Sequence, residues 1–278
     1  MDNLFKDLEG IGISGVEDIN LFEDGLKKDE KPKISIKVKD AEAIIYQRKV
    51  TCPVCNKLFM TSSIRTGRIR FVDTELDLRP IYNGFDPIPY DVVVCTHCGY
   101  AGLNKFFLKV SEFKAKIIKT KISVSYNGKE YPKVFTYEQA IQRYKLALLN
   151  SVVGHDSNGM KAYLCLKISW LFRGWQEQLR EEGEIGSKRI KELKSNELIF
   201  VRKAFEGFLI AYECESFPIV GIEQDNLEYL ISELARRLGE FDETRKWLSR
   251  VIQRQNTNKR LNDKIFQVKE LMNKGIMT

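Results

Sequence analysis

Tyr90-Asp91-Val92-Val93-Val94-Cys95-Thr96-His97-Cys98-Gly99-Tyr100-Ala101 is the stretch on which the fold turns. A β-branched run enters a Cys-x2-Cys pair directly and a glycine follows, which predicts a strand ending in a metal-binding turn. Cys52-Pro53-Val54-Cys55 supplies a matching pair, with 39 residues between the two. Each two-residue spacer lets both sulfurs of one knuckle converge on one ion, and zinc favours four thiolates in a tetrahedron with bonds of about 2.3 Å. Pro53 stiffens the first turn, and Gly99 lets the backbone pass close over the sulfurs. A redox dithiol and two coincidental core pairs are the competing readings. A redox pair, however, opens a helix beside a parallel strand, and one pair would suffice for it. The expected site is therefore structural Zn2+ held by Cys52, Cys55, Cys95 and Cys98, since four thiolates leave no open position for a catalytic water.

Working outward, the residues around both pairs read as β-rich. Strand-like stretches at 44–50, 67–72 and 90–95 are separated by Gly, Pro and Asn, as turns require. Residues 111–120 carry helical spacing, and Asn127-Gly128 reads as a turn leading out of the region. From Val134 onward the chain changes to amphipathic helical segments with one proline, Pro218. Candidate helices span about 135–150, 159–181, 188–217, 225–238, 241–255 and 259–274. The expected organisation is an acidic appendage over 1–40, a zinc-ribbon-like domain with an insertion over 41–130, and a helical domain over 131–278. The fold class is α+β: a small zinc-ribbon-like β domain followed by an all-α tetratricopeptide-like domain.

Tyr137, Ala140, Tyr144, Ala147 and Leu148 have the spacing of the second helix of a tetratricopeptide repeat, in which small alanines let helices approach and aromatics fill the gaps. Leu238-Gly239-Glu240-Phe241 with Thr244, Leu248 and Val251 repeats the scheme with threonine in the alanine place. Six helices make three hairpins, the minimum for a stable stack. A generic helical bundle would show similar stripes.

The 278 residues include 45 Lys and Arg against 38 Asp and Glu, a net charge of +7. That total conceals segregation: residues 1–30 hold nine acids and three bases, and residues 236–274 hold eleven bases and five acids. Hydrophobic residues at 43% and charged residues at 30% exclude a mostly disordered chain. No apolar run reaches the roughly 18 residues of a membrane span, and the acidic start is unlike a signal peptide, so a cytoplasmic protein is expected.

Within the insertion, Asp73, Glu75 and Asp77 alternate so that an extended strand would project them from one face. Three carboxylates in a row can bind a hard cation, but the wet face of an edge strand, balanced by Arg65, Arg68, Arg70 and Arg79, is the favoured reading. His97 should point away from the ion, and His155 sits in a surface loop. Cys165 and Cys214 read as small buried hydrophobes on helices. Phosphate-loop, dinucleotide-binding and nucleophile-elbow patterns are absent, and two histidines in poor contexts leave little for acid–base work, so no enzyme is expected.

The run Cys52-Pro53-Val54-Cys55, the acid-rich stretch from Arg70 to Tyr82, Asp86-Pro87 and above all Tyr90 to Ala101 resemble the bacterial domain-of-unknown-function family 2225. The resemblance extends from about residue 45 through the helices. It implies a bacterial cytoplasmic protein with a zinc site followed by helical repeats, and only the four cysteines carry over, as ligands.

The leading functional expectation is a zinc-binding protein-interaction scaffold whose helical-repeat groove takes a protein or peptide partner. The alternative is a nucleic-acid-binding zinc ribbon using Lys57, Arg65, Arg68 and Arg70, with Phe71 or Tyr82 stacking on bases. Residues 56–94 hold five bases and five acids, so that surface is not globally basic. A third expectation is that the acidic start occupies the basic helical surface and competes with a partner.

Overall fold

The computed structural model describes Gly10, Gly12, residues 41–254 and residues 259–277. Apart from those two glycines, the expected acidic appendage over 1–40 lies outside the described residues. Among the described residues the architecture is α+β, with short two-stranded sheets first and long helices after them. They divide into two compact units: residues 41–71 with 82–156, and residues 72–81 with those from 157 onward.

In the first unit, α1 (Ala41–Ile44) leads into an antiparallel hairpin of β1 (Ile45–Thr51) and β2 (Leu58–Ile64). Ile45 lies opposite Ile64 and Val50 opposite Phe59, which buries Val50 and Phe59 together at the end nearest the first cysteine pair. Sequence patterning does not announce β2, because Leu58-Phe59-Met60-Thr61-Ser62-Ser63-Ile64 lacks a β-branched run; its partner strand sets its register. The strand expected over 67–72 begins only at Phe71, after a single tight helical turn at Thr66–Arg68. β3 (Phe71–Thr74) pairs with β4 (Pro80–Tyr82), and β5 (Val92–Val94) pairs antiparallel with β6 (Ala101–Leu103). α2 (Glu112–Ile118) starts at Ser111, whose hydroxyl accepts the Lys114 N–H at 3.2 Å and satisfies an orphan donor of the first turn.

The next helix, α3 (Tyr137–Val153), opens with a capping box. The Thr136 hydroxyl accepts the Gln139 N–H, and the Gln139 side chain accepts the Thr136 N–H. Its placement departs from the expected boundary near residue 131. It packs against β5 and β6 and belongs to the first unit, which runs to Asp156. The reason is polar as well as apolar. Arg143 Nη2 donates to the Val92 carbonyl at 2.5 Å, Tyr144 Oη to the Ile88 carbonyl at 2.7 Å, and Asn150 Nδ2 to the Gly99 carbonyl at 3.0 Å. All three side chains are buried, so separating the helix from the strands would strand their donors. The alanine and aromatic stripe read as a repeat signature is thus used to cover a sheet.

The second unit contains α4 (Asn158–Glu181) packed on α5 (Lys188–Cys214), and α6 (Gln224–Arg237) packed on α7 (Phe241–Gln253), with α8 (Lys259–Asn273) against α6. Ser157 and Ser187 cap α4 and α5 through their hydroxyls, and Gly239 takes φ +77° to turn α6 into α7. The first hairpin expected of a three-hairpin stack is absent from this unit because α3 lies in the other. In its place the unit takes in residues 72–81. Leu76 and Leu78 of that segment pack against a core of Tyr229, Leu248, Val251, Leu261, Ile265 and Val268. No described helix is long and apolar enough to cross a membrane.

Candidate metal centre

Both cysteine pairs sit in the turns of hairpins, and the two turns share one backbone design. In the β1–β2 turn, the Cys52 N–H donates to the Lys57 carbonyl at 3.0 Å and the Asn56 N–H to the Cys52 carbonyl at 2.9 Å. In the β5–β6 turn, the Cys95 N–H donates to the Tyr100 carbonyl at 2.8 Å and the Gly99 N–H to the Cys95 carbonyl at 3.1 Å. The residue after each second cysteine adopts the left-handed conformation, with φ +58° at Asn56 and +70° at Gly99. Glycine takes that conformation freely, and asparagine tolerates it better than other side chains.

The turns bring all four sulfurs within 4.8 Å of one another. Cys52 Sγ lies 3.6 Å from Cys98 Sγ, and Cys55 Sγ lies 3.7 Å from Cys95 Sγ. A tetrahedron with metal–sulfur bonds of about 2.3 Å has edges of about 3.8 Å, so the spacing fits a single thiophilic ion. The Val54 N–H points at Cys52 Sγ from 3.4 Å, a backbone dipole that offsets thiolate charge. Cys52, Cys95 and Cys98 are buried and Cys55 is half-buried.

The charge state of the cluster follows from its sulfur–sulfur contacts. Hydrogen bonds from Cys95 and Cys98 pull the Cys52 thiol down to about 2, whereas the same bonds push Cys95 up to about 12 and Cys98 higher still. Without a positive ion, the thiolate sits on Cys52 while Cys95 and Cys98 keep their protons. A dication removes that restriction, because it offsets the repulsion between neighbouring sulfurs. The four thiols can therefore hold a metal ion. Behind the second knuckle, Tyr126 lies over Gly99, and a Cβ added there would come within 2.7 Å of the ring.

His97 is exposed, with Nε2 3.1 Å from the Leu58 carbonyl oxygen. His155 is exposed beside Phe113, their rings 6.5 Å apart. Cys165 is buried as expected of a small hydrophobe, whereas Cys214 is exposed, because it is the last residue of α5. Lys57, Arg65, Arg68 and Arg70 are all exposed, and the Arg65 guanidinium lies 5.1 Å from the centre of the Tyr46 ring.

The three carboxylates of the insertion correct the sequence reading. Asp73 is exposed, but Asp77 is 1% exposed, and residues 75–79 form a tight turn rather than an edge strand. The Glu75 N–H donates to the Arg79 carbonyl at 2.8 Å, and Leu78 takes φ +65°. Arg173 Nη2 reaches Asp77 Oδ2 at 2.5 Å, Arg237 Nη1 reaches the same oxygen at 2.9 Å, and Arg173 also pairs with Glu75. Arg79, assigned by sequence to balance a wet face, instead forms a bidentate pair with Glu177 at 2.8 and 3.0 Å. Glu197 closes the network by accepting from Arg173 Nε at 2.9 Å and pairing with Arg237. Burial alone would push the Asp77 carboxyl up, but Arg173 and Arg237 hold it well below the usual carboxylate range. Glu75 and Asp77 are thus ion-paired to helices of the second unit, whereas Asp73 faces solvent. Arg173 and Glu177 stand at spacings of three and seven from Trp170, so charged residues fall on the buried face of α4, and that is the signal sequence reasoning passed over.

No curated protein and no solved structure matches the chain. The family model described as "Uncharacterized protein conserved in bacteria (DUF2225)" matches residues 45–272. That span starts at the first residue of β1 and ends inside α8, so it takes in both knuckles, the insertion and the helices that receive it. The chain belongs to this bacterial family, DUF2225.

Proposed function

We propose that the protein is a cytoplasmic, non-enzymatic interaction scaffold in which structural Zn2+ holds the two hairpins together and the helical unit receives a protein partner. The observation that carries the metal half is the four-sulfur cluster, whose spacing matches a tetrathiolate site. Thiolates select soft ions, and zinc with four of them is closed to substrate, so the ion's contribution is to stability. A structural zinc contributes about 10–16 kcal/mol in small peptides, which is ample to fix two short hairpins. The interaction half is supported by the packing of α4 on α5 and of α6 on α7, which we read as tetratricopeptide-like hairpins that would offer a partner-binding face. The test is capture of partners from bacterial lysate by the full chain and by a chain ending at Asp156, with metal content showing that the shorter chain keeps its knuckles. Partners recovered equally by both would reject the helical unit as the binding surface.

A second reading has its own support. Lys57, Arg65, Arg68 and Arg70 are exposed together with Phe71, whose ring meets Tyr82 edge-on at 5.8 Å. Bases flanking an accessible aromatic are the chemistry of single-stranded nucleic-acid binding. A salt-titrated assay with single-stranded RNA and DNA discriminates it, and absence of affinity at low salt removes it.

A further inference from the structure

The second unit holds an acidic hairpin turn of its own chain, residues 75–79, in a charged recess. Arg173 from α4, Arg237 from α6 and Lys264 from α8 converge on residues 74–78, taking the carboxylates of Glu75 and Asp77 and the main-chain carbonyls of Thr74 and Glu75. Leu76 and Leu78, alternating with those acids, rest on the apolar core formed with α6, α7 and α8. Arg79 completes the set through Glu177. A separate peptide that carries the same order of groups and closes the same turn, as residues 72–81 do with parts of both flanking strands, would present each of these groups to the same cations. The recess is also larger than what fills it. A cavity of about 310 Å³ lies alongside, lined by the segment and by Glu233, Lys264, Gln267 and Leu271, with room for more chain.

We propose that this recess is the partner-binding surface of the helical unit, that its partner is an acidic peptide in which carboxylates alternate with leucines ahead of a base, and that Glu75–Leu78 is a built-in competitor. The inference rests on the scaffold reading and names the class of partner. Tethering at both ends gives the internal segment an effective concentration in the millimolar range, so an outside peptide competes only if it binds tightly or the segment is weakened. Charge complementarity favours an acidic peptide that folds into such a turn as occupant: Arg173, Arg237 and Lys264 meet the carboxylates and main-chain carbonyls that the turn presents.

The probe is a fluorescein-labelled synthetic peptide of residues 72–81, Val-Asp-Thr-Glu-Leu-Asp-Leu-Arg-Pro-Ile, titrated by fluorescence polarisation against the full metal-loaded chain. The same titration is run on the full chain carrying Glu75→Gln and Asp77→Asn. Saturable binding at least about tenfold tighter to the double variant than to the parent is expected, weakening with salt. A probe with the same two acids neutralised should lose at least about tenfold. Where the double variant is partly unfolded, the melting temperature with about 1 mM peptide is the readout, and recovery toward the parent value supports the proposal. No binding and no recovery, or binding equal for both chains and both probes, overturns it. Failure here with capture still dependent on residues beyond Asp156 would remove the recess and leave the scaffold reading standing.

Discussion

Cys52 Sγ lies 3.6 Å from Cys98 Sγ, across the gap between two separate hairpins. That distance is too long for a disulfide, whose sulfurs sit about 2.05 Å apart, and close to the edge of a tetrathiolate tetrahedron. Purified protein should carry about one metal ion per chain by elemental analysis, and Cys98→Ser should reduce it to a small fraction of that. Because ion and hairpins are coupled, the variant should also lose the cooperative unfolding of the first unit. Full metal content in Cys98→Ser would show that the ion is held elsewhere.

Acid should release the metal steeply. Cys95 and Cys98 hold their protons in the metal-free cluster, because each donates to the Cys52 thiolate, and both must lose them to bind an ion. Uptake therefore releases at least two protons, and affinity should fall by at least about a hundredfold for each unit that pH drops. Competition with a chromophoric chelator between neutral and mildly acidic pH measures this slope. A flat dependence would mean the sulfurs are already ionised.

Gly99→Ala should damage the second knuckle, since a side chain there is placed at φ +70° and 2.7 Å from the Tyr126 ring. A loss of about 2–4 kcal/mol is expected from combined backbone strain and overpacking. Asn56→Gly, at the equivalent place in the first knuckle, should change stability by only a few tenths of a kcal/mol, or about that much. Chemical denaturation of the two variants side by side gives the comparison, and equal effects would contradict the geometry.

Asp77→Ala should cost about 3–5 kcal/mol, because it leaves Arg173 and Arg237 buried beside a missing partner. The same network sets an acid limit. The folded-state carboxyls of Asp77 and Glu197 lie below their ordinary values of 3.8 and 4.5, so their stabilisation is complete above that range and drains away as pH falls through the depressed values. Glu177 works in the opposite sense, since burial outweighs Arg79 and raises it, so one of the three carboxyls partly offsets the trend. Helical circular dichroism should show a melting temperature that drops below about pH 4 in the parent and drops less in Asp77→Ala.

The cysteine spacing made the metal centre legible, because ligand geometry is local: two residues between sulfurs and a glycine after them suffice to specify a knuckle. Helix limits were legible for a similar reason. Ser157 and Ser187 cap the chain where the apolar period begins, and Gly239 breaks it where α6 ends. The fate of Asp77 was hidden, since its partners Arg173 and Arg237 lie far along the chain, and alternation alone suits a wet strand as well as a buried turn. The allegiance of α3 was equally hidden. Ala140, Tyr144 and Ala147 are compatible with a helix or a sheet as neighbour, and only Arg143 and Asn150, polar residues on the buried face, hinted at strands.

Residues 72–81 leave the first unit after Phe71 and return to it at Tyr82, yet they lodge among helices that begin at Asn158. A ribosome therefore delivers both knuckles before it has made any wall of the recess. At about 5–20 residues per second, Arg237 emerges some seconds after Cys98, and a nascent chain can capture its ion while the excursion still waits in water. Its acids are well suited to that interval, because they keep Leu76 and Leu78 soluble until the arginines arrive. Birth order thus puts the sulfur cluster first and the docking of the loop last.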